Sequence, residues 1–228
     1  MFQRSSPEFK ANYLLRRVKE DMVDFNEVRL FPKRESQTIA YSFNPAERAL
    51  YDEVTIYFDT MYDKAKLSGR NAVRLAMSIL QRRLASSTLA IMRSLYRRRQ
   101  KLLDYIQDLK ANRLSEEEFR AQQQAFSVTD YREESTSDEE ETIDQDGERL
   151  EEGEWRERQE LGATPARTLQ DLQLELAEVE RLAQQAEAVY HLKQESKFEK
   201  LWEALQEHQE HKVLIFTEHK DTLDFLID

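Results

Sequence analysis

The chain has no cysteine, and only four glycines and four prolines among its 228 residues. Without cysteine there are no disulfides and no thiolate metal sites, which suits a reducing compartment. With so little glycine and proline, tight turns must be few, and long helices are favoured over a many-stranded sheet. Long apolar runs are also missing: none approaches the roughly 20 residues needed to cross a bilayer. The opening MFQRSSPEFK has no apolar signal core, so no membrane partner is expected and a cytoplasmic location is. Hydrophobic residues make up 39% and charged residues 35%, against the usual quarter or so of charge. The length admits one or two domains.

What the chain does have is charge, unevenly placed. The net charge is −11, and Asp130–Glu160 alone, with 15 acidic and 4 basic residues, accounts for all of it. The remainder is neutral, and within it Arg70–Lys110 has ten basic residues against Asp104 and Asp108. An acidic total therefore does not argue against a polyanionic partner for the basic stretch.

Residues 9–25 read as a short mixed helix, ended by the Asn26–Ser36 stretch around Pro32. Ile39, Tyr41 and Phe43 alternate with small residues, a strand signal. Asn44-Pro45-Ala46-Glu47 then opens a helix: a cap, a proline at the first helical position, and a glutamate that reaches back to the cap amide. Leu50, Val54, Phe58, Met61 and Ala65 line one face of it. After Ser68-Gly69 comes a helix of about 40 residues, on the order of 60 Å long at 1.5 Å per residue. Its apolar residues Val73, Leu80, Leu84, Ile91, Leu95, Leu102, Ile106 and Leu109 follow an 11-residue period for most of its length, which keeps the stripe nearly straight. Ser86-Ser87-Thr88 is the point where it can kink. Arg82, Arg83, Arg93, Arg97 and Lys101 fall on another side.

Ser115 with Glu118 can open a short helix. Residues 127–166 lose periodicity and are too polar to offset the entropy of ordering, so disorder is expected there. Leu169, Leu172, Leu176, Val179, Ala183, Ala186 and Tyr190 then form three heptads, whose simplest partner is the stripe of the long helix, as an antiparallel hairpin. Ser196 and Glu199 form a second capping-box pattern, before a helix with Phe198, Leu201, Trp202 and Leu205 inward. Lys212–Thr217 resembles a strand buried on both faces, and a last helix begins near Asp221. A strand with no neighbour leaves its backbone groups unmet, so the C-terminus is expected to be a cut through a larger domain.

Three stretches, in this order, resemble one family, the Swi/Snf-type ATPases. Leu14–Val54 is similar to the exit from the first RecA-like lobe. Leu80–Leu102 looks like the helical insertion of the bacterial and archaeal branch, which includes RapA/HepA-like and phage-defence helicases. Lys197–Leu226 resembles the opening of the second lobe, where helicase motif IV corresponds to Val213, Leu214, Ile215, Phe216, Thr217 and Glu218. The resemblance implies a prokaryotic parent motor that hydrolyses ATP with magnesium while moving on duplex DNA. It divides the chain into an exit from lobe 1 (1–43), a helical protrusion (44–126), an acidic segment (127–166), a returning coiled-coil helix (167–194) and the start of lobe 2 (195–228). The expected fold is mainly α: a long antiparallel helical hairpin with a short strand near each end, belonging to incomplete RecA-like α/β lobes. The rest of those lobes are then its partners.

The departures from the family are equally definite. No glycine is followed by lysine, so there is no phosphate-cradling loop, and no Asp-Glu-x-His occurs to hold magnesium. By itself the chain is expected to have no ATPase activity, no catalytic residues and no cofactor. Arg16, Arg17, Lys19, Arg82, Arg83, Arg93, Arg97 and Lys101 are candidates for contact with DNA or a lobe; a solvated face, or for the long helix pairing with the acidic segment, is the plainer account of each set. His208 and His211, with Glu207, Glu210 and His219 nearby, fall short of the converging ligands and supporting shell a zinc site needs. The rival to a motor fragment is a self-contained coiled-coil interaction module whose acidic segment takes a basic partner.

Overall fold

A computed structural model describes Lys19 and residues 22–33, 35–68, 71–125 and 161–227. The chain divides into two units, Met1–Ala40 and Tyr41–Asp228. In the first, Val23 and Arg29 face each other in one antiparallel bridge. The Asp24 carboxylate closes the turn by accepting the Asn26 and Val28 amides at 2.8 and 2.9 Å. Glu27 turns the chain there with φ of 61°. Most of the helix expected over 9–25 lies outside the described residues, but its end at Met22–Phe25 is not helical. The Asp24 amide donates to the Val28 carbonyl at 2.8 Å in the turn, not to a helical carbonyl four residues before it.

The second unit is mainly helical. Seven helices stand among the described residues: α1 (Pro45–Ser68), α2 (Asn71–Ser86), α3 (Thr88–Lys110), α4 (Glu116–Ala125), α5 (Leu169–His191), α6 (Ser196–Glu207) and α7 (Lys220–Ile227). Asn44 caps α1, its Oδ1 accepting the Ala46 and Glu47 amides, while Glu47 accepts the Asn44 amide at 2.9 Å. Ser115 and Glu118 exchange the same kind of bonds at the start of α4. At α5 a capping box joins Thr168 and Asp171.

The apolar stripes meet in one core. Leu50, Val54, Phe58, Met61 and Ala65 of α1 are buried with Val73, Leu80, Ile91, Leu95, Leu102 and Ile106, and with Leu172, Val179, Ala183 and Ala186 of α5. The α3–α5 contact is the most extensive between any two helices. Tyr96 donates to Glu187 at 2.6 Å and Arg99 to Glu180 at 2.8 Å, so α5 descends as α3 ascends. Within this interface Arg98 is fully buried. Its Nε donates to the Tyr57 hydroxyl at 2.6 Å, its Nη1 to the carbonyls of Leu161 and Ala163 at 2.8 and 3.1 Å, and its Nη2 to Glu175. Burial works against the Arg98 charge, but Tyr57 and Glu175 outweigh it and hold the guanidinium ionised; burial pushes the Tyr57 phenol up.

Four sequence expectations are corrected. The 40-residue helix is two, broken at Ser87, whose extended backbone (φ −158°, ψ 159°) lets its Oγ cap α3 by accepting the Ala90 amide. Residues 126–160 lie outside the described residues, but 161–166, expected to be disordered with them, are largely buried. Leu161, Ala163 and Thr164 are at most 1% exposed, because their carbonyls and hydroxyl complete the shell around Arg98 and Glu175. The capping box at Ser196 does not form: Glu195 is the cap residue and its side chain does not cap the helix, and the Ser196 hydroxyl goes to Glu47 instead. Finally, neither 39–43 nor 212–217 is a strand. No neighbouring strand lies beside either segment among the described residues, and Tyr41 and Phe43 pack edge to face at 5.6 Å.

Candidate functional site

The basic residues of α2 and α3 are where charge gathers. Ser87 breaks the helix so that Arg82 and Arg83, before the break, and Arg93 and Arg97, after it, reach one acidic row on the last segment. Arg82 pairs with Glu218 at 2.8 Å. Three arginines converge on Asp221: Arg83 at 2.5 Å, Arg93 at 2.8 Å, and Arg97 through both terminal nitrogens at 2.7 and 3.1 Å. Arg93 also bonds Asp224 at 2.7 Å. The Asp221 side chain is 2% exposed and that of Arg83 4%, whereas Arg93 and Asp224 are 38%. The cluster is thus buried at its centre, Asp221, and open at both ends.

The break itself is tied down by the same segment. A helix end leaves its last carbonyls and first amides without partners. The Lys197 ammonium donates to the Ala85 and Ser86 carbonyls at 3.0 and 3.2 Å. The Thr88 amide donates to Glu195 at 3.1 Å. The Thr222 hydroxyl lies 2.7 Å from that of Ser86 and 2.9 Å from that of Ser87. Beside the break, Tyr41, Leu50, Leu84, Ile91 and Glu195 help line a cavity of about 20 Å³, room for about one water.

Electrostatics follow from this packing. Burial alone would raise the Asp221 carboxyl, but hydrogen bonds from Arg97 and Arg93 and the charges of Arg97 and Arg83 hold it at about 2. Burial, then the nearby Arg83 charge, depresses the His219 imidazole. Burial pushes Glu195 up to about 7; the Thr88 amide opposes this and the Glu47 charge adds to it.

The other candidates are dispersed. Lys101 is half-buried and stands apart from the Asp221 cluster, and Arg16 and Arg17 lie outside the described residues. Lys19, in the first unit, sits 5.5 Å from the centre of the Phe31 ring. Val213, Leu214, Ile215 and Phe216 belong to no helix or strand and are 47, 81, 45 and 90% exposed. Thr217 accepts the His219 amide at 3.4 Å, and Glu218 belongs to the arginine row. The His208 and His211 rings lie edge to face at 6.2 Å. Among the described residues no group of three His, Asp or Glu side chains is placed to hold a metal ion, and no helix is long and apolar enough to cross a membrane.

Sequence reasoning missed Asp221, Asp224, Glu195 and Arg98. The one signal for the first two was the spacing of Glu218, Asp221 and Asp224, three apart on a segment whose partner was unknown. Compared with protein-family models, curated proteins and solved structures, the chain finds no match.

Proposed function

We propose that this chain is the inter-lobe part of a Swi/Snf-type DNA translocase, with the arginine face of α2 and α3 turned toward duplex DNA. On this reading α3 and α5 are the two arms of a helical protrusion, and 39–43 and 213–216, neither of them a strand here, would become strands only against the rest of the RecA-like lobes. The observation that carries it is Val213–Phe216, an exposed apolar run outside any helix, lying between helices α6 and α7. An apolar run with that exposure and no ladder partner among the described residues has the character of a sheet strand awaiting its neighbours. The order helix, strand, helix is that of the opening of a RecA-like lobe.

The residues present do not make a nucleotide site. No glycine precedes a lysine, and Glu218, Asp221 and Asp224, the carboxylates nearest the proposed strand end, are all taken by arginines. On this reading hydrolysis belongs to the remainder of the motor.

The rival, a self-contained coiled-coil module, draws on the α3–α5 interface, where one buried Arg98–Glu175 pair is the kind of device that fixes register. The two part over DNA. Bound duplex should be lost steeply with salt, because each neutralised phosphate releases condensed counterions. Replacing the exposed Arg82 and the half-buried Lys101 together by alanine should flatten the log–log salt slope by about 2, at roughly 0.9 per contact. Binding that ignores salt, or a slope these substitutions leave unchanged, favours the coiled-coil module.

A further inference from the structure

The arginine cluster is already occupied by part of its own chain. Asp221 offers two oxygens sharing one negative charge, and three guanidinia bond them at 2.5–3.1 Å, Arg97 through a two-pronged contact. A backbone phosphodiester presents the same thing: two non-bridging oxygens sharing one charge, the geometry that the guanidinium fork matches. Asp221 is not alone. Glu218 and Asp224, three residues to either side, take Arg82 and Arg93, so a row of anions lies along a row of cations.

Beside the row, burial and then the Arg83 charge depress the His219 imidazole. Leu223 and Ile227 of α7 are 42% and 74% exposed, and α7 meets α2 and α3 through Asp221, Asp224 and Thr222. Phe225 packs against Phe198 of α6 at 5.4 Å and Tyr190 of α5 at 6.4 Å, and Leu226 is half-buried. The ion pairs at the open ends of the row are screened by salt and individually weak, which leaves the buried Asp221 as the group that holds α7 on the arginines.

We propose that Arg83, Arg93 and Arg97 form a phosphate-binding site for the duplex backbone, that Asp221 of α7 fills this site in cis as a phosphate mimic, and that α7 must move off before DNA enters. This rests on the DNA-facing reading above and adds the device that regulates it. A ligand that binds only the open state has its apparent affinity reduced by the open fraction, so the unaltered chain binds duplex weakly and loosening α7 strengthens binding.

The test is anisotropy of a short labelled duplex at low salt, titrated with the full chain. Asp221→Asn with Asp224→Asn should tighten binding by roughly tenfold or more. Thr222→Ala, which changes no charge but loosens the tie to Ser86 and Ser87, should shift affinity in the same direction and keeps the test open should the asparagine variant misfold. Adding Arg93→Ala with Arg97→Ala should remove the gain. Asp63→Asn with Glu117→Gln, the same charge change on distant exposed residues, should leave affinity near that of the unaltered chain. If this control tightens binding as much as the α7 variants, net charge and not unmasking is responsible, and the proposal fails. If the unaltered chain and the α7 variants bind equally, and all weaken with the arginine substitutions, the DNA-facing reading stands and the mask is refuted. If the arginine substitutions change nothing in any background, that reading falls as well.

Discussion

Arg98 sits in the middle of a basic helix and yet never meets solvent. Its guanidinium is surrounded by the Tyr57 hydroxyl, two carbonyls and Glu175, so removing one charge strands the other. Breaking a buried pair from one side typically costs about 3–5 kcal/mol, while replacing both partners by apolar residues is often nearly neutral. Arg98→Met should therefore lower stability in urea unfolding by about that much, and adding Glu175→Leu should recover most of it. In the sequence Arg98 looked like its neighbours Arg97 and Arg99; nothing local marks which of three consecutive arginines turns inward, because that depends on where α1 and residues 161–164 arrive. Glu195 is a second such case. Its folded value of about 7 lies above the ordinary 4.5, so the folded chain holds a proton there that the unfolded chain releases. Stability from this group is therefore full below about 4.5 and lost as pH rises through 7. Stability should fall across that window by up to about 3 kcal/mol, seen as a falling melting temperature, and Glu195→Gln should flatten the profile.

At the scale of elements, the stripes were legible and their interruptions were not. The spacing of Leu50–Ala65, of Val73–Leu109 and of Leu169–Tyr190 identified the faces that form the core, since 3.6-residue periodicity reports burial directly. The Ser86-Ser87-Thr88 run marked where the long helix can yield, but the break becomes fixed only through Lys197, Glu195 and Thr222, more than a hundred residues away. The apolar run at 213–216 carried a strand signal without a sheet, because a strand needs partners that periodicity does not provide. The attachment of α7 gives a prediction of its own. Asp221 is held at about 2 against an ordinary 3.8, a depressed carboxyl, so its contribution is present above about 3.8 and lost as pH falls toward 2. Amide protection factors in α7 should drop across that range while those in α3 and α5 persist; equal loss in all three would mean that α7 is not separately attached.

Across the molecule, charge has been sorted. The ten basic residues of Arg70–Lys110 suggested one open cationic face, but Arg98 is in the core, Arg99 pairs with Glu180, and Arg82, Arg83, Arg93 and Arg97 carry the acidic row of the last segment. Between α1 and α5, Ile56, Leu67 and Leu174 edge a groove of about 460 Å³ with Glu178, Asp171 and Lys64, a mixed surface without a row of arginines. Whether the arginine face is the side that meets DNA can be measured directly, because the chain has no cysteine and one introduced thiol carries a photo-cross-linker to a single place. Arg82→Cys and Lys101→Cys, each labelled with benzophenone and irradiated with a duplex in an Asp221→Asn, Asp224→Asn background, should cross-link to DNA. Ile56→Cys and Leu174→Cys in the same background should not. Cross-linking from the groove positions at a yield equal to that from positions 82 and 101, or from none of the four, would contradict the assignment.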